Sequence, residues 1–309
     1  MLSFPAENGE PFLERVGRGE TLVGDGAIGT QLQAEGLEAG DAPESVTLHR
    51  PEILARIASG YLEAGADVLT TNTFGASPLK LARHGLEDRT EEINRRGVEV
   101  LREVAGGRAY VSASVGPTGA LLEPYGDTAE AEVFEAFLQQ VGALVDDGPD
   151  LICVETMTDL REAVLAVRAV RTVTSALPIM ATMTFEETPR GFYTLMGNSV
   201  ADVVAGLEEV GADVVGTNCG SGIETMARIA RSLVDATSLP VAVQSNAGLP
   251  EVREGVVTYA ETPDLFARYA GEMLTYPVAF IGGCCGTGPE HIRAIRAAVD
   301  GGGRGPQSL

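Results

Sequence analysis

The sequence predicts a single-domain (β/α)8 TIM barrel, and three observations predict it. Eight apolar, β-rich runs alternate strictly with eight amphipathic stretches between residues 21 and 300. Connections entering the apolar runs are short (Gly65-Ala66, Gly211-Ala212, Leu239-Pro240), whereas 28–50, 113–128, 185–198 and 246–262, which leave them, are long and polar. The 309-residue length fits one such barrel. A doubly wound open sheet is the alternative for the same alternation.

The expected strands lie at 21–27, 66–74, 109–117, 151–157, 177–185, 212–219, 239–246 and 277–285. Helical periodicity fills 51–65, 89–106, 131–148, 160–175, 199–211, 222–238, 262–275 and 289–300. Thr262-Pro263 and Gly288-Pro289 place proline at a first turn, and Gly65 and Gly211 close a last turn. Residues 1–18 are expected as a tail with a short helix (PFLERVG), 19–300 as the barrel and 301–309 as a flexible tail. Function belongs at the C-terminal mouth, where the long loops gather.

Composition narrows the function. The chain carries 44 Asp+Glu against 22 Lys+Arg, a formal charge of −22, which repels nucleic acid and anionic membranes. No apolar run reaches the roughly 18–20 residues of a membrane span, and the start (MLSFPAENGE) lacks signal-peptide character, so a cytoplasmic location is expected. Lys80 is the only lysine and lies in a helix-like stretch, which argues against Schiff-base chemistry.

Cysteine placement is the strongest chemical signal. Cys219 ends the sixth strand and Cys284-Cys285 the eighth, and these strands flank the seventh in a barrel. The three sulfurs can therefore meet at one rim. Adjacent cysteines rarely bond each other, and neighbours in a strand face opposite sides, so a disulfide or a core role fits poorly. Three thiolates leave one tetrahedral position open, the donor set of a catalytic zinc site. Cys153, in mid-strand, reads as core. His49, His84 and His291 read as structural or exposed.

The motifs GDGAIGT (24–30), TNTFGAS (71–77), ASVGPTG (113–119), ETMTDLREA (155–163), GTNCG (216–220), NAGLP (246–250) and GGCCGTGPEHI (282–292) fall at successive strand ends. With them the chain resembles the zinc-dependent homocysteine S-methyltransferase family over about residues 15–300. It is most similar to the homocysteine-binding domain of cobalamin-dependent methionine synthases. The resemblance implies zinc (Zn2+) held by Cys219, Cys284 and Cys285, and attack of a zinc-bound homocysteine thiolate on a methyl donor to give methionine. Physical chemistry supports it: only the thiolate attacks carbon, a free thiol near pKa 8.5 is mostly protonated at neutral pH, and a sulfur-rich zinc keeps its ligand electron-rich.

The resemblance also implies that Asp25 and Glu155 receive the substrate ammonium, while backbone N–H groups of Gly26, Ile28 and Gly29 cradle its carboxylate. Asn72, Thr73, Ser114 and Asn218 are polar groups at the mouth, suited equally to ligand contact or to satisfying tight loops. Gly24-x-Gly26-x-x-Gly29 also matches a dinucleotide fingerprint, but Asp25 would face a pyrophosphate and the cysteines would have no role. Ser245 stands where many relatives have proline, which weakens any carry-over onto Asn246.

Methionine synthases of this branch carry folate, cobalamin and activation domains after the barrel. No corrinoid or folate site is evident here, so the expected donor is a separate methyl-corrinoid protein. S-Methylmethionine or a betaine is the alternative donor, and a non-catalytic zinc and homocysteine binding module the alternative function.

Overall fold

A computed structural model describes residues 10–38, 40–253 and 256–302. Eight parallel strands form one sheet: β1 (Leu22–Val23), β2 (Val68–Thr70), β3 (Tyr110–Val115), β4 (Leu151–Met157), β5 (Ile179–Met183), β6 (Val214–Gly222), β7 (Val241–Asn246) and β8 (Val278–Gly283). Their order is β1-β8-β7-β6-β5-β4-β3-β2, and a parallel bridge from Gly24 to Val68 joins the two ends into a ring. The barrel is the expected one, and closure rules out the open sheet.

The barrel helices are α1 (Pro51–Glu63), α2 (Thr90–Ala105), α3 (Glu130–Asp146), α4 (Leu160–Val173), α5 (Val200–Glu209), α6 (Ile223–Ala236), α7 (Pro263–Met273) and α8 (Pro289–Gly302). Local chemistry sets their ends. Asp159 caps α4 through the Arg161 N–H at 2.8 Å, and Ser199 with Asp202 forms a capping box on α5. Gly65, Gly106 and Gly211 take φ of 96°, 50° and 89° where helices stop, a conformation that favours glycine.

The barrel's interior below the mouth is filled by Leu22, Val68, Leu151, Cys153, Met180, Ala242 and Phe280. Cys153 is therefore core, as its mid-strand position suggests. A helix at Phe12–Gly17 puts Phe12 and Val16 into the same cluster, with the Phe12 ring edge-on to Tyr110 at 5.8 Å. Residues 10–18, expected within a tail, thus belong to the barrel floor: apolar side chains at positions 12 and 16 share one face of the helix and cover an otherwise exposed barrel end. The last helix runs to Gly302, and residues 1–9 and 303–309 lie outside the described residues.

At the bottom face the fold repeats a device that residue spacing does not mark. Gly65-Ala66-Asp67, Gly148-Pro149-Asp150 and Gly211-Ala212-Asp213 precede β2, β4 and β6. Each aspartate accepts the N–H of a residue in the preceding strand: Asp67 from Val23 at 2.8 Å, Asp150 from Val111 at 2.7 Å and Asp213 from Ile179 at 2.8 Å. Each also binds an arginine from a helix, respectively Arg296 at 2.9 Å, Arg102 at 2.8 Å and Arg171 at 2.6 Å. Staggered parallel strands leave these N–H groups without a ladder partner, and the carboxylates supply one.

Several strands end earlier than their apolar runs. β1 stops at Val23 rather than 27 and β2 at Thr70 rather than 74. The Thr70 N–H donates to Asp25 Oδ2 at 2.6 Å instead of extending a ladder. The long mouth loops also hold small elements: helices at Gly29–Ala34 and Ser45–His49, and two hairpins, Glu186–Thr188 with Gly191–Tyr193 and Glu251–Arg253 with Val256–Thr258.

Asp150→Ala is expected to cost about 3 kcal/mol, because it removes the acceptor of the Val111 N–H and of the Arg102 guanidinium together. Arg161→Ala, which removes an exposed pair with Glu130, is expected to cost under about 1 kcal/mol. Urea unfolding of the two variants measures the difference.

Candidate active site

Closure places the ends of β6 and β8 on either side of β7. A strand's alternation cannot by itself aim both Asn218 and Cys219 at the mouth, and β6 breaks that alternation. Its register with β7 shifts between Asn218 and Gly222, Cys219 takes a left-handed φ of 59°, and Gly220 follows at 77°. A Cβ at Gly220 would lie 2.6 Å from the Thr184 methyl group, so this turn requires glycine. β8 ends at Gly283, and its continuation is tied to β7: Cys284 N–H donates to the Ser245 carbonyl at 2.7 Å, and Ala247 N–H to the Cys285 carbonyl at 2.9 Å. Gly286, at φ 80°, lets the Tyr259 ring lie directly against the backbone.

These turns bring the sulfurs of Cys219, Cys284 and Cys285 within 4.8 Å of one another, each half-buried. The Cys219 sulfur accepts hydrogen bonds from the Cys284 and Cys285 thiols, which pull its pKa well below that of a free thiol. Giving those protons pushes Cys284 and Cys285 up. The Asn246 side chain also reaches Cys219, while its own Oδ1 is buried without a hydrogen-bond partner. Three converging sulfurs, shared protons and an orphaned oxygen alongside form a donor set that fits zinc.

Next to the sulfurs lie two buried carboxylates. Asp25, 3% exposed, accepts from the Thr70 N–H at 2.6 Å and the Thr70 hydroxyl at 2.8 Å. Glu155, 8% exposed, accepts from the Ser114 hydroxyl and, at 3.3 Å, from the Asn218 amide. Burial pushes each up to about 7, and Asp25 adds repulsion at Glu155. Among the described residues, no arginine, lysine or histidine offsets either group. An ammonium is the complement this pair lacks.

The loop after β1 is clamped from behind. The Tyr61 hydroxyl donates to the Ala27 carbonyl at 2.7 Å, and Ala27 N–H donates to Thr287 Oγ1 at 3.1 Å. A Cβ at Gly26 would lie 2.8 Å from both the Thr287 hydroxyl and the Tyr61 ring, so only glycine fits there. Among the described residues, the N–H groups of Gly26, Ile28 and Gly29 donate to no protein acceptor.

The four remaining polar candidates have internal work. Asn72 donates to the Pro43 carbonyl at 2.8 Å and to Thr47 at 3.1 Å, holding down the first long loop. Thr73 is fully buried and donates to the Ser114 carbonyl at 2.8 Å. Ser114 orients Glu155. Asn218 orients it too, and is further bound by Thr156 N–H at 2.7 Å, Thr156 Oγ1 at 2.7 Å and Thr182 Oγ1 at 2.8 Å.

Thr156, Thr182, Tyr61 and Thr287 were not singled out in the sequence. Thr156 holds a left-handed φ of 60°, costly for a β-branched residue, and its contacts with Asn218 maintain it. No sequence signal marks such a residue. Ser245 in place of a proline weakens the sequence case for Asn246, yet the end of β7 still places its side chain beside Cys219. His291 bonds Gly288 and Glu261 backbone at 3.1 and 3.0 Å, and His49 and His84 are exposed.

Residues 22–299 match the homocysteine S-methyltransferase family, covering the whole barrel. The chain belongs to this family. It is 35% identical over 295 residues to the methionine synthases of Mycobacterium tuberculosis and Mycobacterium leprae, a match covering 90% of this chain and 24% of theirs. The chain therefore spans about a quarter of the length of those relatives. The metallated form of the homocysteine methyltransferase MmuM from Escherichia coli superposes with a TM-score of 0.76 at 26% identity, over 93% of this chain and 99% of that one. Among the described residues of this family member, no helix is long and apolar enough to cross a membrane.

The two raised carboxylates set a pH dependence. In the fold they hold their protons up to about pH 7, whereas in the unfolded chain they release them near 3.8 and 4.5. Stability of the substrate-free protein is therefore expected to fall as pH rises from about 4 to about 7 and to level off above. Thermal melts across that range check this, and the double variant Asp25→Asn, Glu155→Gln is expected to flatten the slope.

Proposed function

We propose that the protein transfers a methyl group to the sulfur of homocysteine and releases methionine. The observation that carries this is the convergence of three cysteine sulfurs beside two buried carboxylates that have no cationic partner among the described residues. Asp25 and Glu155 receive the substrate ammonium, and Ser114 and Asn218 hold Glu155 in place for it. The free N–H groups of Gly26, Ile28 and Gly29 take the carboxylate. Held at both ends, the amino acid presents its side-chain thiol to the sulfur cluster.

Cys219, Cys284 and Cys285 would hold zinc, which supplies a cation that favours the thiolate form of the incoming thiol at neutral pH. The thiolate then displaces the methyl carbon from its carrier: the new carbon–sulfur bond forms as the old bond breaks, and the carrier keeps the bonding pair.

The donor is proposed to be a methyl-corrinoid carried by another protein or domain. Six of the seven exposed large apolar side chains among the described residues sit on loops at the mouth: Leu121, Tyr125, Leu195, Leu249, Val252 and Val257. An apolar rim around an acidic pocket suits a macromolecular carrier better than a small cation, which needs no docking surface.

Cys285→Ser is expected to lose zinc, by elemental analysis, together with methionine formation; full activity would contradict the metal role. Glu155→Ala is expected to raise the KM for homocysteine about tenfold or more with zinc retained, the loss of one charged contact to the ammonium. Parallel assays with a reconstituted methyl-corrinoid protein, S-methylmethionine and glycine betaine identify the donor. Methionine from none of them would favour a binding module.

A further inference from the structure

The inner wall of the mouth carries a polar group with no role so far. Gln244 in β7 is 4% exposed, and its Oε1 is buried without a hydrogen-bond partner. An amide oxygen left in this state costs on the order of 1–3 kcal/mol, so proteins seldom keep one without a use.

Its surroundings indicate the use. Gln244 is in register with Asn218 on β6 and with Gly282 on β8. A Cβ at Gly282 would lie 3.4 Å from Gln244 Cγ, 3.2 Å from Gly24 Cα and 3.3 Å from the Asp25 carbonyl oxygen. Glycine at 282 therefore lets the Gln244 side chain approach the backbone of β1 and Asp25 closely. On β6, Asn218 is the residue that holds Glu155. Gln244 thus stands between the support of one carboxylate and the backbone of the other, on the wall they share.

An ammonium group has three N–H donors, and two carboxylates provide for two of them. We propose that Gln244 is a specificity-determining residue whose Oε1 accepts the third N–H of the substrate's α-ammonium. This rests on the assignment of Asp25 and Glu155 as the ammonium site. The role is selective: a thiol of the same length without an amino group leaves the oxygen unpaired and gains nothing from it.

The test compares zinc-loaded wild type, Gln244→Met, Gln244→Glu and Glu155→Ala by calorimetric titration with L-homocysteine and with 4-mercaptobutanoate, which lacks the amino group. Methionine matches glutamine in length without its amide, and retained mercaptobutanoate binding serves as the check of folding. Gln244→Met is expected to weaken homocysteine about tenfold and mercaptobutanoate less than about twofold, as for loss of one hydrogen bond to a charged group. Equal weakening of both ligands, or of neither, overturns the proposal. If Gln244→Met does not fold, Gln244→Glu decides alone: its added charge is expected to increase the preference for homocysteine, and an unchanged preference overturns the proposal. Loss of preference in Glu155→Ala alone sinks only the Gln244 role, whereas an unaltered preference in Glu155→Ala removes the ammonium site itself.

Discussion

Buried acids without a cationic partner among the described residues are the constraint around which the mouth of this barrel is organised. Carboxylates occur at both ends of the barrel, and their treatment differs. At the bottom, Asp67, Asp150 and Asp213 each bind an arginine and a strand N–H, the arrangement expected of structural groups. At the top, Asp25 and Glu155 are more deeply buried and receive only neutral donors. Three sulfurs add to the same side. Burying an acid without a cation is unfavourable, and here it is tolerated by holding protons. A pocket in that state has stored affinity for positive charge.

The geometry of the mouth depends on departures from regular strand structure. Cys219 and Thr156 hold left-handed backbone, and both strands lose register at those points. Each departure turns an extra side chain inward where alternation would send it out. Asn218 links them: a single side chain bonds Thr156 twice, Thr182 and Glu155, and it precedes a sulfur donor in the chain. Through it Glu155 is tied to the strand end that carries Cys219. A second support comes from α1 and the loop before α8, where Tyr61 and Thr287 fasten the turn that follows β1. The residues that present the site are thus backed by packed helices rather than by the loops alone.

Much of this was legible in the amino-acid order. Periodicities of two and 3.6 mark the strands and helices because burial on one face acts locally, and the paired motifs at Cys219 and Cys284-Cys285 mark the sulfur cluster because glycine and cysteine have few other reasons to recur at strand ends. The Gly-x-Asp clasps went unread: three residues are a weak signal until the stagger of parallel strands shows which N–H groups need acceptors. The short helix at PFLERVG is legible in the sequence, but its place on the barrel floor is not, since a six-residue segment shows no partner until the barrel end it covers exists.

The barrel, and the cysteines and two acids that it gathers at one rim, can be read from the amino-acid order, because each is a property of residue type and of position along a strand. Only the tertiary structure shows that Asn72 and Thr73 bond to other loops and strands, that Asn218 bonds Glu155 and Thr156, and that among the described residues the oxygens of Asn246 and Gln244 have no hydrogen-bond partners. Those distinctions depend on where hydrogen-bond partners lie in space, and residues 25 to 63 positions apart in the chain supply them only after the ring has closed.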